Sequence, residues 1–219
     1  MIISLRALLV ASVLLASPAV AHGLARSGCG VEPDSTLTKL HASGQTFEEF
    51  LAAAKARREG WLQVRDSSRV EEGLLARARA VGGTWRLLVI AVDRCGDSMN
   101  SVPYLAKLAE SVPGLDLRIV LPGPGRGVQE SHRSLDGRAA TPTIVLLDAE
   151  GKDMGCIVEL PREIRDWAHS VRASVSSDSL HAGIRAFYAR DRGKGITTEA
   201  VEMLEAAKAG AVLCKSGSA

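Results

Sequence analysis

Arg86-Leu-Leu-Val-Ile-Ala-Val92 is an unbroken apolar run with three β-branched residues, and it is followed within three positions by Cys95-Gly96-Asp97-Ser98. A run without polar alternation is expected of a strand covered on both faces, which requires helices on both sides of a largely parallel sheet. The rest of the chain is punctuated accordingly. A helix is expected from Gly96 to about Val112, then a strand from Leu115 to Leu121. Two short strands follow, Thr143 to Leu147 and Gly155 to Val158, joined across Asp148-Ala-Glu-Gly151, whose length and turn residues suit a hairpin. Pro161 can open a helix running to about Ala173, because its missing amide costs nothing at a first helical position.

Upstream, Thr46-Phe-Glu-Glu49 has the spacing of a capping box and predicts one helix to about Trp61, with Phe47, Phe50, Leu51 and Ala54 on one face. A second helix is expected from Val70 to Val81, ending at Gly82-Gly83. Residues 22–45 lack apolar periodicity and read as an irregular lead-in. Residues 122–140 read as a loop with a poorly patterned helix over about Val128 to Leu135. Within them Gly123-Pro-Gly125-Arg-Gly127 faintly suggests a phosphate loop. Position 128 is Val where the dinucleotide pattern needs its third glycine, so a flexible loop is expected. Two more helices, about Ser179 to Arg190 and Thr198 to Ala209, read as an appendage without catalytic content. The order is β-α-β-α-β-β-α. With right-handed crossovers it closes into a mixed four-stranded sheet flanked by helices.

The N-terminus carries Arg6, an apolar run from Ala7 to Ala16 and then Ala19-Val20-Ala21. This is the order of a secretory signal peptide cleaved after Ala21, and the run is short of the roughly 20 residues a spanning helix needs. Removing 21 residues from 219 leaves 198, with 26 basic against 25 acidic residues. The expected location is periplasmic or secreted, with no membrane insertion after cleavage. A net charge near zero and an aromatic content of 4% give no sign of a nucleic-acid partner. The parse is 1–21 signal peptide, 22–45 lead-in, 46–83 N-terminal helical extension, 84–175 central domain, and 176–219 C-terminal helical extension and tail.

Cys29, Cys95, Cys156 and Cys214 all lie in the part expected to be exported, where disulfides persist. Three complete pairings exist, and sequence does not choose among them. If Cys95 stays reactive, at most one structural bridge remains. Cys29 with Cys214 is slightly preferred over Cys29 with Cys156, because both lie in appendages. The five histidines are scattered, none at i, i+4 from another, so they read as surface residues and no metal or other cofactor is expected.

Cys95 follows a buried-type strand and opens a helix, where free amides and the macrodipole favour a thiolate. Arg94 acts in the same direction and Asp97 against it. With Pro103 eight residues after Cys95, and with Thr141-Pro142-Thr143 ahead of the hairpin, the chain resembles the thioredoxin superfamily. It is most similar to an uncharacterised bacterial group with a Trp-Cys-Gly-Asp-Ala type motif and helical extensions. That likeness takes in Val102-Pro-Tyr-Leu-Ala-Lys-Leu-Ala-Glu110 and Phe187-Tyr-Ala-Arg-Asp-Arg-Gly193.

The resemblance implies a thioredoxin fold, an active-site thiol at Cys95 with Gly96, Asp97 and Ser98 after it, and a cis-proline loop at Thr141 and Pro142 facing that thiol. It also exposes departures. Ser98 stands where the second cysteine of the dithiol motif belongs, Arg94 where a tryptophan does, and Val89 where a buried acid does. The expected function is single-thiol disulfide exchange through Cys95, acting on a thiol or disulfide of a protein or small molecule. Cys156 is then either a resolving or a structural thiol, and Ser98 can at most donate a hydrogen bond to sulfur. The alternative is a thioredoxin-fold binding or scaffolding module without turnover.

Overall fold

The computed structural model describes residues 35–214; the expected signal peptide and Cys29 lie outside them. Among the described residues the sheet has five strands in the order β2-β1-β3-β4-β5. These are β1 (Trp85–Ile90), β2 (Leu115–Val120), β3 (Thr143–Leu147), β4 (Asp153–Val158) and the two-residue β5 (Leu213–Cys214). β1 runs parallel to β2 and antiparallel to β3, and β3 and β4 form the hairpin. The four expected strands thus form the expected mixed sheet. β5, which pairs parallel with β4, extends it by a strand too short to show a pattern in sequence.

Alternation along β1 explains the two-sided core. Leu87, Val89 and Ala91 belong to one apolar cluster and Leu88 and Ile90 to another, all of them inaccessible to solvent. The first and larger layer is filled from α2 (Phe47–Ala53), α3 (Arg58–Ser67), α4 (Glu72–Val81), α5 (Gly96–Ser111) and α9 (Lys194–Lys208). Of the helices read as extensions, α2, α3, α4 and α9 therefore share one core with the sheet. The opposite layer is closed by α6 (Pro122–Ser131) and by α1 (Ser35–Ala42), whose Leu37 and Leu40 pack on it. Two further helices, α7 (Arg162–Val171) and α8 (Ser177–Asp191), make a cluster of their own around Phe187 and Ile184.

Three expectations for the helices need correction. The irregular lead-in over 22–45 contains α1, which gains its stability from the apolar face it lays on β1 and β2 rather than from its own pattern. The single helix expected from Thr46 to Trp61 is two. The capping box forms, with the Thr46 hydroxyl accepting from the Glu49 amide, but α2 stops at Ala53 and Arg57 turns the chain in a left-handed conformation (φ 53°) before α3. The glycine-rich segment is helical from Pro122. A side chain at Gly125 would place its Cβ 2.6 Å from Cδ1 of Ile90, so this glycine lets α6 lie directly on β1.

Two histidines read as surface residues are also buried, His41 (3% exposed) and His132 (9%). No helix among the described residues is long and apolar enough to cross a membrane.

Candidate functional site

The register of the sheet builds the site. Ile90 at the end of β1 lies opposite Thr143 at the start of β3, so the turn leaving β1 and the loop entering β3 meet at the same edge. The first carries Cys95. The second carries Thr141 and the buried Pro142, joined by a cis peptide bond.

Cys95 is a free, partly exposed cysteine and the N-cap of α5. Its thiol donates to the Thr141 carbonyl at 3.1 Å, and the Ser98 backbone N–H donates to its sulfur at 3.4 Å. The bond that sequence allowed the Ser98 hydroxyl comes instead from the Ser98 amide. The hydroxyl is fully buried and has no hydrogen-bond partner among the described residues. Gly96 has open space where a Cβ would sit, and Arg94 is exposed. Val89 is wholly buried, so the position of the family's acid beneath the thiol is apolar here.

The α2–α3 junction braces this turn. Amides of Lys55 and Ala56 donate to the Asp93 carboxylate at 2.8 and 2.9 Å. These two bonds, Ala56 first, hold Asp93 below its ordinary carboxylate range. The Trp61 indole N–H donates to the Asp93 carbonyl at 2.8 Å, and the Arg57 Nε–H donates to the Arg94 carbonyl at 2.8 Å. Two positions ahead of Cys95, the backbone is thus fixed by groups that come from outside the βαβ unit. Neither Trp61 nor Asp93 carried a sequence signal beyond helical periodicity.

Asp97 faces a cleft of about 470 Å³ whose walls include Gly96, Asn100, Arg138, Glu159 and Tyr188. Burial first, and then the charge of Glu159, raise the Asp97 carboxyl to a pKa of about 6, while Tyr188, Arg138 and Arg172 pull the other way. Glu159 is itself held by Arg138, which donates to both of its carboxylate oxygens at 2.9 Å.

Tyr188 comes from α8, which the sequence reading had treated as an appendage without chemistry. Its buried hydroxyl interacts with Asp97 and Ser101 but completes no hydrogen bond of regular geometry; burial, followed by Asp97, pushes it well above 10. Position 89 is apolar, and a titratable carboxyl lies instead two residues after the thiol.

The disulfide differs from expectation. Cys156 and Cys214 are bonded, which replaces the favoured pairing of Cys29 with Cys214 and leaves Cys156 no free thiol with which to resolve a mixed disulfide. The reason is topological. β5 lies alongside β4 with Cys214 opposite Cys156, and α9, which leads into β5, packs on β4.

Residues 44–174 match a protein-family model described as Thioredoxin. Among solved structures the chain is similar to a protein of unknown function from Pseudomonas aeruginosa, with 22% identity and a TM-score of 0.62 over 78% of this chain and 97% of that one. It is also similar to an HIV epitope scaffold, with 20% identity and a TM-score of 0.60 over 77% and 96% of the two chains. Likeness at these identities concerns the fold. No curated protein matches the chain.

Proposed function

The chain belongs to the thioredoxin family, and on that premise we propose that it is an exported, periplasmic or secreted, single-thiol oxidoreductase acting through Cys95. The observation that carries this reading is the setting of the thiol. Cys95 is free at the mouth of a strand-to-helix turn, 3.1 Å from the Thr141 carbonyl and 3.4 Å from an amide that points at its sulfur. The amide can keep its bond when the thiol ionises, whereas the carbonyl bond is made by the thiol's own proton, so the two contacts hold the sulfur at the mouth of the turn from opposite sides.

In the proposed reaction the Cys95 thiolate attacks one sulfur of a substrate disulfide, a Cys95–substrate disulfide forms, and the other substrate sulfur leaves as a thiolate that takes up a proton. Asp97 is suited to exchange that proton, because its carboxyl titrates at about 6, below an ordinary thiol and above an ordinary carboxylate. The Ser98 hydroxyl cannot displace the mixed disulfide, and Cys156 and Cys214 are tied to each other. Release therefore requires a second thiol, from a small molecule, another protein or Cys29 of this chain.

The test is stoichiometric. In a Cys29→Ser background, incubation with an aromatic activated disulfide should add one group, mapped to Cys95, and a monothiol should then discharge it; adding Cys95→Ser should abolish the uptake. A folded protein whose Cys95 takes up nothing supports the binding-module alternative instead.

A further inference from the structure

We infer that the Cys156–Cys214 bridge is a second redox centre, reducible by a dithiol in the folded protein, with His132 stabilising Cys156 as the thiolate that leaves. The observation is independent of Cys95. One ring nitrogen of His132 and the two sulfurs all lie within 4.8 Å of one another. His132 stands at the C-terminal end of α6, and its ring is fully committed: Nδ1 bonds the Val128 carbonyl at 2.9 Å and Nε2 bonds the Asp153 carboxylate at 2.7 Å. A carbonyl and a carboxylate only accept, so both contacts are satisfied together when both ring nitrogens carry a proton, which is the imidazolium form. Burial works against that charge, but the Asp153 hydrogen bond and the Val128 carbonyl outweigh it and raise the pKa of His132 above its ordinary value.

The other charged groups lining the approach to the sulfurs are matched among themselves. Arg165 and Arg162 on α7 pair with Glu199 and Glu202 on α9, and Glu205 pairs with Arg77. Asp153 on β4 is the anion that faces His132.

Access is asymmetric. The bridge forms part of the wall of a cleft of about 700 Å³, in which Cys214 is partly exposed and Cys156 is buried. An incoming thiolate from a dithiol reaches the Cys214 sulfur. A mixed disulfide forms there, the S–S bond breaks, and its electron pair leaves on Cys156 beside the imidazolium. The second thiol of the reductant then displaces Cys214, which takes up a proton. Two electrons pass from the dithiol to the bridge. Of the two protons the dithiol gives up, one stays on Cys214 and one is released, because Cys156 remains a thiolate.

That proton count is measurable. In a Cys29→Ser, Cys95→Ser background, the bridge is equilibrated with fixed ratios of reduced to oxidised dithiothreitol, the thiols at 156 and 214 are alkylated, and the reduced fraction is read by mass. The equilibrium constant for reduction should rise about tenfold per pH unit between about pH 6.5 and 7.5, as release of one proton demands. In His132→Gln it should be flat over that range and about tenfold lower at its upper end. If that variant does not fold, Asp153→Asn, which keeps the imidazole but removes the carboxylate that holds its charge, should lower the reduced fraction at neutral pH. A flat profile in the parent, a parent-like slope in His132→Gln, an unchanged fraction in Asp153→Asn, or a bridge that opens only in denaturant would each overturn the inference.

Discussion

Asp97→Asn should stabilise the protein at neutral pH and leave it unchanged in acid. In the folded chain the carboxyl is screened from water by α5 and α8 and faces Glu159, which lifts its pKa from an ordinary 3.8 to about 6. The folded state therefore binds this proton more tightly than the unfolded chain does. Below about pH 3.8 the group is protonated in both states and contributes nothing; between about 3.8 and 6 stability falls as pH rises; above that the full penalty is present.

A difference of about 2.2 in pKa, at about 1.36 kcal/mol each, corresponds to about 3 kcal/mol, an upper bound because the residue keeps some contact with solvent. Asparagine is nearly isosteric, can still meet the Tyr188 hydroxyl, and does not ionise. Urea unfolding of both proteins at about pH 4 and pH 7.5 isolates this one group, because the other carboxylates enter both measurements alike. The stability of the variant relative to the parent should improve by about 2 to 3 kcal/mol between the two pH values. A difference that stays constant within about 0.5 kcal/mol would refute the burial argument. The same substitution should remove any inflection near pH 6 from the rate at which Cys95 is alkylated.

Trp61 is inaccessible, lies edge-on to Phe50 at 5.2 Å, and holds the Asp93 carbonyl, so Trp61→Ala should cost about 3 to 5 kcal/mol in denaturant unfolding. Trp61→Phe, which keeps most of the packing and loses the hydrogen bond, should cost only about 1 to 2 kcal/mol. Ser98→Cys places a thiol one helical turn after Cys95 at a buried position whose hydroxyl has no partner to lose. Under oxidation it should bridge to Cys95 and gain dithiol exchange with a model disulfide such as insulin, read by mass and by turbidity. Two unpaired thiols in a folded variant would mean that the geometry at Cys95 is not that of an exchange site.

What could be read in the chain and what could not divide along the range of the forces involved. The run over Arg86 to Val92, the capping box at Thr46 and the hairpin across 148–151 are local patterns, and each forms as its residues dictate. The meeting of Cys95 with Thr141 was legible only through the thioredoxin resemblance, since it depends on the pairing of β1 with β3. The break between α2 and α3 depends on Asp93 capturing the amides of Lys55 and Ala56, which no window of sequence contains.

Gly123, Gly125 and Gly127 argue against a helix by propensity, by about 1 kcal/mol each. Contact of Gly125 with Ile90, and closure of the layer over β1, prevail over that cost. The bridge partner of Cys156 and the burial of His132 follow from where α9 and β5 settle. Tyr188 sits on an ordinary amphipathic stripe of α8, and only its position over Asp97 distinguishes it.

The account stands on Cys95 being activated by its site, and the direct measurement is its rate of reaction with an uncharged model disulfide in the folded protein and in urea. In a Cys29→Ser background, with Cys156 and Cys214 bridged, Cys95 is the one thiol left to react. The Ser98 amide and the Thr141 carbonyl hold the Cys95 sulfur in place at the mouth of its turn only when the chain is folded. At neutral pH the folded protein should therefore react several-fold faster than the same chain in urea, once the effect of urea on a free cysteine peptide has been divided out. A folded rate below the unfolded one would contradict the account and leave a thioredoxin fold whose cysteine is only a cap on its helix.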